Sequence, residues 1–430
     1  MSDLDDPDLP PASPGMMFPW YRNLGGNPMK QTIAMTLVVA FATVHAASPA
    51  TVANAPGVNT ASSRCQGAPP DSVKAAVILG DCLREEKNDR AAVEAYRRGL
   101  ATDPHGSRDL FLGMALAYDA LKQYDLELQS AFSADHLAPS DPEVLYQTGI
   151  AYENLEEWPE AIDYFNKTLA VRPNDGRAHR NIGFVLLQQD KPEEAIRHLE
   201  TAVGIDQNDW KAHLSLSAAY AASFKDLNRE LQRFPVNPRR DAQSTDQRVQ
   251  RHNEIAARLQ AIDYNAKSDE HAREAARLKP DEYRTWYSLG MGLMRNPKTL
   301  PEAIDAFEHA IAINPDYYPL LRNMAIAQDT AHRPADAYET CKHLLTLAPD
   351  DKDMLLMAAH IAGRLGRLDE AAKGYRELLR LGDQNWMTPV ELAGVLRRQG
   401  RNDEAMQELD KLKAARPEIA KMIDSYFAHL

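Results

Sequence analysis

Small residues recur along this chain in two regular series. Gly80, Ala115, Gly149, Gly183, Ser217, Ala256, Gly290, Ala325, Ala359 and Ala393 make the first. Ala92, Glu127, Ala161, Ala195, Ser268, Ala303, Ala337, Ala371 and Ala405 make the second. Around each, apolar residues return every three or four positions, the signature of a helix with one buried face. Prolines stop the pattern at Pro104, Pro139, Pro173, Pro280, Pro315, Pro349 and Pro417, since proline cannot continue a helix interior. The spacing predicts antiparallel helix pairs starting at Val73, Arg108, Pro142, Gly176, Trp210, Val249, Tyr283, Tyr318, Lys352 and Trp386. A small residue at position 8 of each unit lets two helices approach closely. Glu127 breaks the second series and predicts loose packing in the second unit. Within 210–282 the frame is irregular, with Pro235 and Pro238 interrupting it. Either two degenerate helix pairs or one pair carrying an insertion fits there.

The run Trp286-x-x-Leu289-Gly290, then Ala303-x-x-x-Phe307, then Pro315 resembles the tetratricopeptide repeat, as does Thr148-Gly149-x-x-Tyr152, Ala161-x-x-x-Phe165, Pro173. The resemblance implies an all-α fold, a right-handed solenoid of stacked helix pairs whose first helices line a concave face. Repeats 1–4 would occupy 73–209 and repeats 5–6, degenerate or interrupted, 210–282. Repeats 7–10 would occupy 283–419. Ile419, Met422, Ile423 and Phe427, at helical spacing, predict a capping helix over 417–430. Such folds hold an extended peptide or a partner domain and carry no chemistry of their own.

In that family the groove-lining side chains fall at positions 2, 5, 6, 9, 12 and 13 of the first helix. This frame marks Arg177, Arg180, Asn181, Phe184, Lys211, Arg284, Tyr287, Arg322 and Asn323 as partner-binding candidates. The early repeats place acids there (Asp81, Glu85, Asp109, Asp119, Glu143, Glu153), whereas later ones place mainly arginines, Arg364, Arg397 and Arg398 among them. A groove acidic at one end and basic further along would orient a bound segment. Asn181 and Asn323 can pair with a peptide backbone through both donor and acceptor. The lysine–asparagine clamp of chaperone-binding relatives is missing, because Arg180 is followed by Phe184 at position 9.

Charge and composition narrow the picture. Asp and Glu outnumber Lys and Arg by 62 to 49, a net charge of −13, which argues against nucleic-acid binding. From Met29, a lysine, an apolar run to Val44 and the small residue Ala46 form a secretory signal, with cleavage expected after Ala46. Residues 1–46 thus read as leader and 47–72 as an unstructured lead-in. The apolar run is shorter than the roughly 20 residues a membrane helix needs, so no stable span is expected after cleavage. Periplasmic or secreted placement follows, with cytoplasmic as the alternative. In an oxidising compartment Cys65 and Cys82 could bridge and pin the lead-in to the first helix. Cys341, at a core position, reads as a buried thiol.

Candidate chemistry is sparse. Thirteen histidines form no H-E-x-x-H motif. His198, His213 and His271 sit on regular frame positions and read as structural. No phosphate-binding loop or nucleophile elbow is present, and no cofactor or metal is expected. The expected function is a non-catalytic scaffold of the bacterial envelope that binds a protein or peptide. An accessory or regulatory subunit of a glycan synthesis, export or other secretion system is the alternative.

Overall fold

The computed structural model describes residues 65, 72–233, 235 and 246–427. The expected leader, residues 1–46, lies outside the described residues, as do the rest of the lead-in apart from Cys65 and Ser72, and most of the proline-containing segment 234–245. All regular structure among the described residues is helical. The chain divides into two compact units, Met1–Gln207 and Asn208–Leu430.

The first unit holds four helix pairs: α1 (Val73–Glu85) with α2 (Asp89–Thr102), α3 (Arg108–Ala120) with α4 (Tyr124–Leu137), α5 (Pro142–Asn154) with α6 (Trp158–Val171), and α7 (Gly176–Gln188) with α8 (Pro192–Ile205). Each starts where the sequence frame puts it. Ser72, Ser107, Asp141 and Asp175 cap the first helices by accepting a hydrogen bond from a backbone N–H two or three residues on.

The small residue at position 8 has a local reason. A Cβ at Gly149 would lie 2.6 Å from the Phe165 ring, and one at Gly183 would lie 2.5 Å from Leu199. Gly80 faces Tyr96 and Gly290 faces Phe307 in the same way. The close approach is therefore between the two helices of one pair, with a large side chain of the second helix lying over the first. Phe165 and Phe307 are fully buried by it; each such burial contributes about 2–3 kcal/mol.

The turn between paired helices is also periodic. Lys87, Lys122, Glu156, Asp190 and His332 all have φ between 56° and 59°, and Gly366 and Gly400 take 75° and 78°. All seven occupy position 15. In the seventh repeat that position is Pro297, whose ring forbids positive φ. The turn there becomes a short 3₁₀ segment, Pro297–Thr299, with one residue added.

The second unit begins with α9 (Trp210–Arg233), which runs 24 residues without the position-15 turn. It packs along α11 (Tyr264–Leu278), and α11 packs on α12 (Tyr283–Leu293). Between α9 and α11 in sequence, α10 (Gln247–Ala261) lies against α9, held by Val249, Ile255 and an Arg251–Glu230 ion pair at 2.7 Å. Ser217 at position 8 and Ser268 at position 20 meet at 3.3 Å, so α9 and α11 are the two helices of one pair and α10 is inserted between them. Regular pairing resumes with α12 and α13 (Leu300–Ile313), α14 (Tyr318–Thr330) and α15 (Pro334–Leu347), α16 (Lys352–Arg364) and α17 (Leu368–Arg380), α18 (Met387–Arg398) and α19 (Asn402–Ala415). Trp386 is the residue before α18 rather than its first turn. A short α20 (Ala420–Phe427) follows, its Ile423 buried and Met422 exposed.

The loose packing expected at Glu127 does not occur. Its side chain is fully buried and accepts hydrogen bonds from Gln147 Nε2 at 2.8 Å and Asn154 Nδ2 at 2.9 Å. Two amide donors from the next repeat satisfy the carboxyl, so the site stays closed.

Candidate functional site

The sequence candidates fall into two separate groups, one in each unit. In the first, Arg177 grips Glu143 of the preceding repeat with two parallel hydrogen bonds of 3.0 and 2.9 Å. It also reaches Asp175 at 3.1 Å and lies over the Tyr146 ring, 4.4 Å from its centroid. Its proton is held more tightly than usual, first by the hydrogen bond to Glu143. Arg180 donates to Asn181 Oδ1 at 3.1 Å, and Asn181 Nδ2 donates to Glu153 at 3.1 Å. Asn181 and Phe184 are both buried. These side chains join repeats 3 and 4 to each other.

In the second unit Arg284 pairs with Glu282 at 2.9 Å, with little of either side chain exposed. Asn323 donates to the Tyr287 hydroxyl and to the Pro319 carbonyl, both at 2.9 Å. Burial pushes the Tyr287 hydroxyl up to about 12. Arg322 pairs with Asp353 of the next repeat at 2.9 Å, and the Lys211 ammonium sits 5.8 Å from the Trp210 ring centroid. Both asparagines are thus occupied by neighbouring side chains. Arginines and acids pair from one repeat to the next, which cancels charge locally.

The second unit holds a groove of about 610 Å³ across α14, α16 and α18. Leu356, Met357 and His360, at positions 5, 6 and 9 of α16, line it with Ile361, Val395 and the buried Tyr375. Its polar rim comprises Asp329, Asp353, Arg364, Glu391 and Arg398. Arg364 pairs with Asp329, and Asp353 with Arg322. Arg398 has no ion-pair partner among the described residues, and it reaches across to Gly363, where an added Cβ would lie 3.9 Å from its Nη1. None of the nine sequence candidates lines this groove. The signal available in the sequence was the apolar pair Leu356–Met357 at groove positions. Arg364 and Arg398, also at groove positions, supplied a second signal.

Cys65 and Cys82 form a disulfide with Cα atoms 5.9 Å apart, and both join the core around α1 and α2. Cys341 is buried, and burial pushes its thiol up to about 12, which disfavours the thiolate that nucleophilic attack or metal ligation needs. Among the described residues, one group of three potential metal ligands occurs, Cys65, Cys82 and Glu86, and its two sulfurs are consumed by the disulfide. No described helix is long and apolar enough to cross a membrane.

The sequence profile of the tetratricopeptide repeat matches residues 146–213 and 324–418. No curated protein matches the chain. Among solved structures, the chain is similar to MamA from Desulfovibrio magneticus RS-1, with 22% identity, a TM-score of 0.34, and coverage of 49% of this chain and 96% of that one. It is also similar to Pseudomonas aeruginosa pilF, with 17% identity, a TM-score of 0.37, and coverage of 58% and 97%. A monomeric IFIT1 mutant with m7Gppp-AAAA matches at 13% identity and a TM-score of 0.48, covering 80% of this chain and 71% of that one. With its helix pairs and its position-8 packing, the chain is an all-α helical-repeat protein, two segments of which, 146–213 and 324–418, match the tetratricopeptide repeat.

Proposed function

We propose that this protein is a non-catalytic interaction scaffold that holds an extended peptide segment in the groove across α14, α16 and α18. The observation that carries this reading is the groove itself: an apolar floor at Leu356, Met357 and Val395 beside the Arg398 guanidinium. An apolar side chain can be desolvated on that floor while an adjacent carboxylate meets the arginine. The favoured segment therefore carries an apolar residue next to an acidic one. Placement in an oxidising envelope compartment is supported by the Cys65–Cys82 bridge, since such bonds persist where thiols are not kept reduced.

The test is selection from a displayed peptide library on the full chain, followed by affinity measurement against Arg398→Glu. Arg398 is exposed, so its reversal leaves the core intact. Selected peptides should contain the apolar–acidic pair and bind the variant at least about tenfold more weakly. Peptides that bind both proteins equally would place recognition elsewhere. Placement is checked separately, by the mass of the mature N-terminus in the envelope fraction; an intact N-terminus in the cytosol would overturn it.

A further inference from the structure

Two histidine pairs occupy the same place in two repeats. His179 on α7 and His198 on α8 bring their Nδ1 atoms to 3.2 Å. His213 on α9 and His271 on α11 bring theirs to 3.0 Å. In the repeat frame each pair joins position 4 of the first helix to position 23 of the second. Position 4 in the other regular repeats is Ala76, Phe111, Leu145, Trp286, Leu321, Leu355 or Pro389, a place the fold ordinarily fills with apolar carbon. Imidazole at position 4, twice, departs from that rule, and each time a second histidine stands opposite it at position 23.

The ring centroids of the two pairs are 5.4 and 5.2 Å apart, with interplanar angles of 38° and 42°. Each separation exceeds the nitrogen–nitrogen distance by 2.2 Å, close to the two ring radii, so the nitrogens face one another across an N–H···N hydrogen bond. Two imidazole nitrogens each about 2.0–2.1 Å from a single ion lie about 3 Å apart. The observed spans come close to that requirement, and an ion that displaces the shared proton needs each ring to turn its lone pair off the nitrogen–nitrogen line. Each pair joins the two helices of its own repeat, and each lies within one unit.

We propose that His179 with His198, and His213 with His271, are two equivalent bis-imidazole sites for a first-row divalent transition metal of the zinc–copper–nickel class. Neutral imidazole is the competent ligand, and burial, then the neighbouring His179, holds His198 below its usual range. Around the first pair, Arg197 disfavours protonation and Glu194 favours it. Near the second, Glu274 is influenced by both His213 and His271 while it pairs with Arg277 at 2.6 Å, and the Tyr220 ring stacks on His271 at 5.9 Å. Water would complete the coordination. A bound ion would tie the first helix of its repeat to the second.

The test uses the full chain stripped with EDTA. It is titrated with Zn²⁺ against a chromogenic chelator, and with Cu²⁺ read by electron paramagnetic resonance. Wild type should bind two ions more than the double variant His198→Ala, His271→Ala, and each single variant should lose one. His105→Gln, an exposed histidine outside both pairs, should lose none. At two equivalents of Cu²⁺ the wild-type spectrum should show coupling to two nitrogens per ion, a readout that needs no variant to fold. Equal stoichiometry in wild type and double variant, or a Cu²⁺ spectrum without two-nitrogen coupling, overturns the proposal.

Discussion

The second and seventh repeats build the same helix pair from opposite chemistry. In the seventh, Gly290, Ala303 and Phe307 stand at positions 8, 20 and 24; the ring of Phe307 covers the glycine and is fully buried. In the second, the same positions hold Ala115, Glu127 and Ala131. A methyl group replaces the ring, and a carboxyl enters the core. That carboxyl recruits Gln147 and Asn154 from the following repeat, and Asn154 also donates to Asp119 at 3.0 Å. The apolar junction depends on shape within one pair. The polar junction depends on donors supplied by its neighbour, and so it ties the second repeat to the third.

The largest expected effect lies on the apolar side. Phe307→Ala removes the ring that fills the space above Gly290, and should cost about 3–5 kcal/mol. Because repeat arrays unfold in segments, the check is hydrogen exchange of α12 and α13 alongside urea denaturation. Comparable protection in the variant would show that the ring is dispensable.

The polar side should respond to pH instead. Burial, then the charge of Asp119, raises the Glu127 carboxyl to about 8, whereas an unfolded glutamate titrates near about 4.3. The folded state therefore holds this proton more tightly. Its contribution is fully present below the unfolded value and is lost as pH rises toward 8. Glu127→Gln cannot titrate, so the variant should become the more stable protein across that window, by a difference on the order of a few kcal/mol at pH 9. Parallel melting curves for the two proteins from pH 5 to pH 9 would contradict the assignment.

The smallest effect concerns Arg177 and Glu143, whose side chains remain 42% and 34% exposed. A double-mutant cycle should give a coupling of only about 0.5–1 kcal/mol. A larger value would make this surface pair, like Glu127, part of what holds consecutive repeats together.

Much of the fold was legible because helical pairing is local. Small residues at position 8, prolines after the second helices and apolar periodicity placed the start of most first helices of the pairs. The 210–282 region was not legible to the same degree. Val249 and Ile255 have helical spacing and satisfy the frame, yet they pack α10 against the side of α9. Periodicity reports that a helix has a buried face without reporting which helix buries it. Phe224, at position 15, is where α9 continues through the place other repeats turn.

The candidate site divides along the same line. Arg177, Asn181, Arg322 and Asn323 were identifiable as groove positions, but whether such side chains face a ligand or one another depends on distances between repeats. Those distances give Asn181 to Glu153, Asn323 to Tyr287 and Arg322 to Asp353. They also leave Arg398 beside an apolar floor. The sequence by itself determined the helices, their pairing in the regular repeats and the residues able to lie close together, because these follow from spacing along one chain segment. Only the tertiary structure decided which polar groups satisfy each other, where a recess remains open and which histidines meet, because those outcomes depend on contacts between segments far apart in the chain.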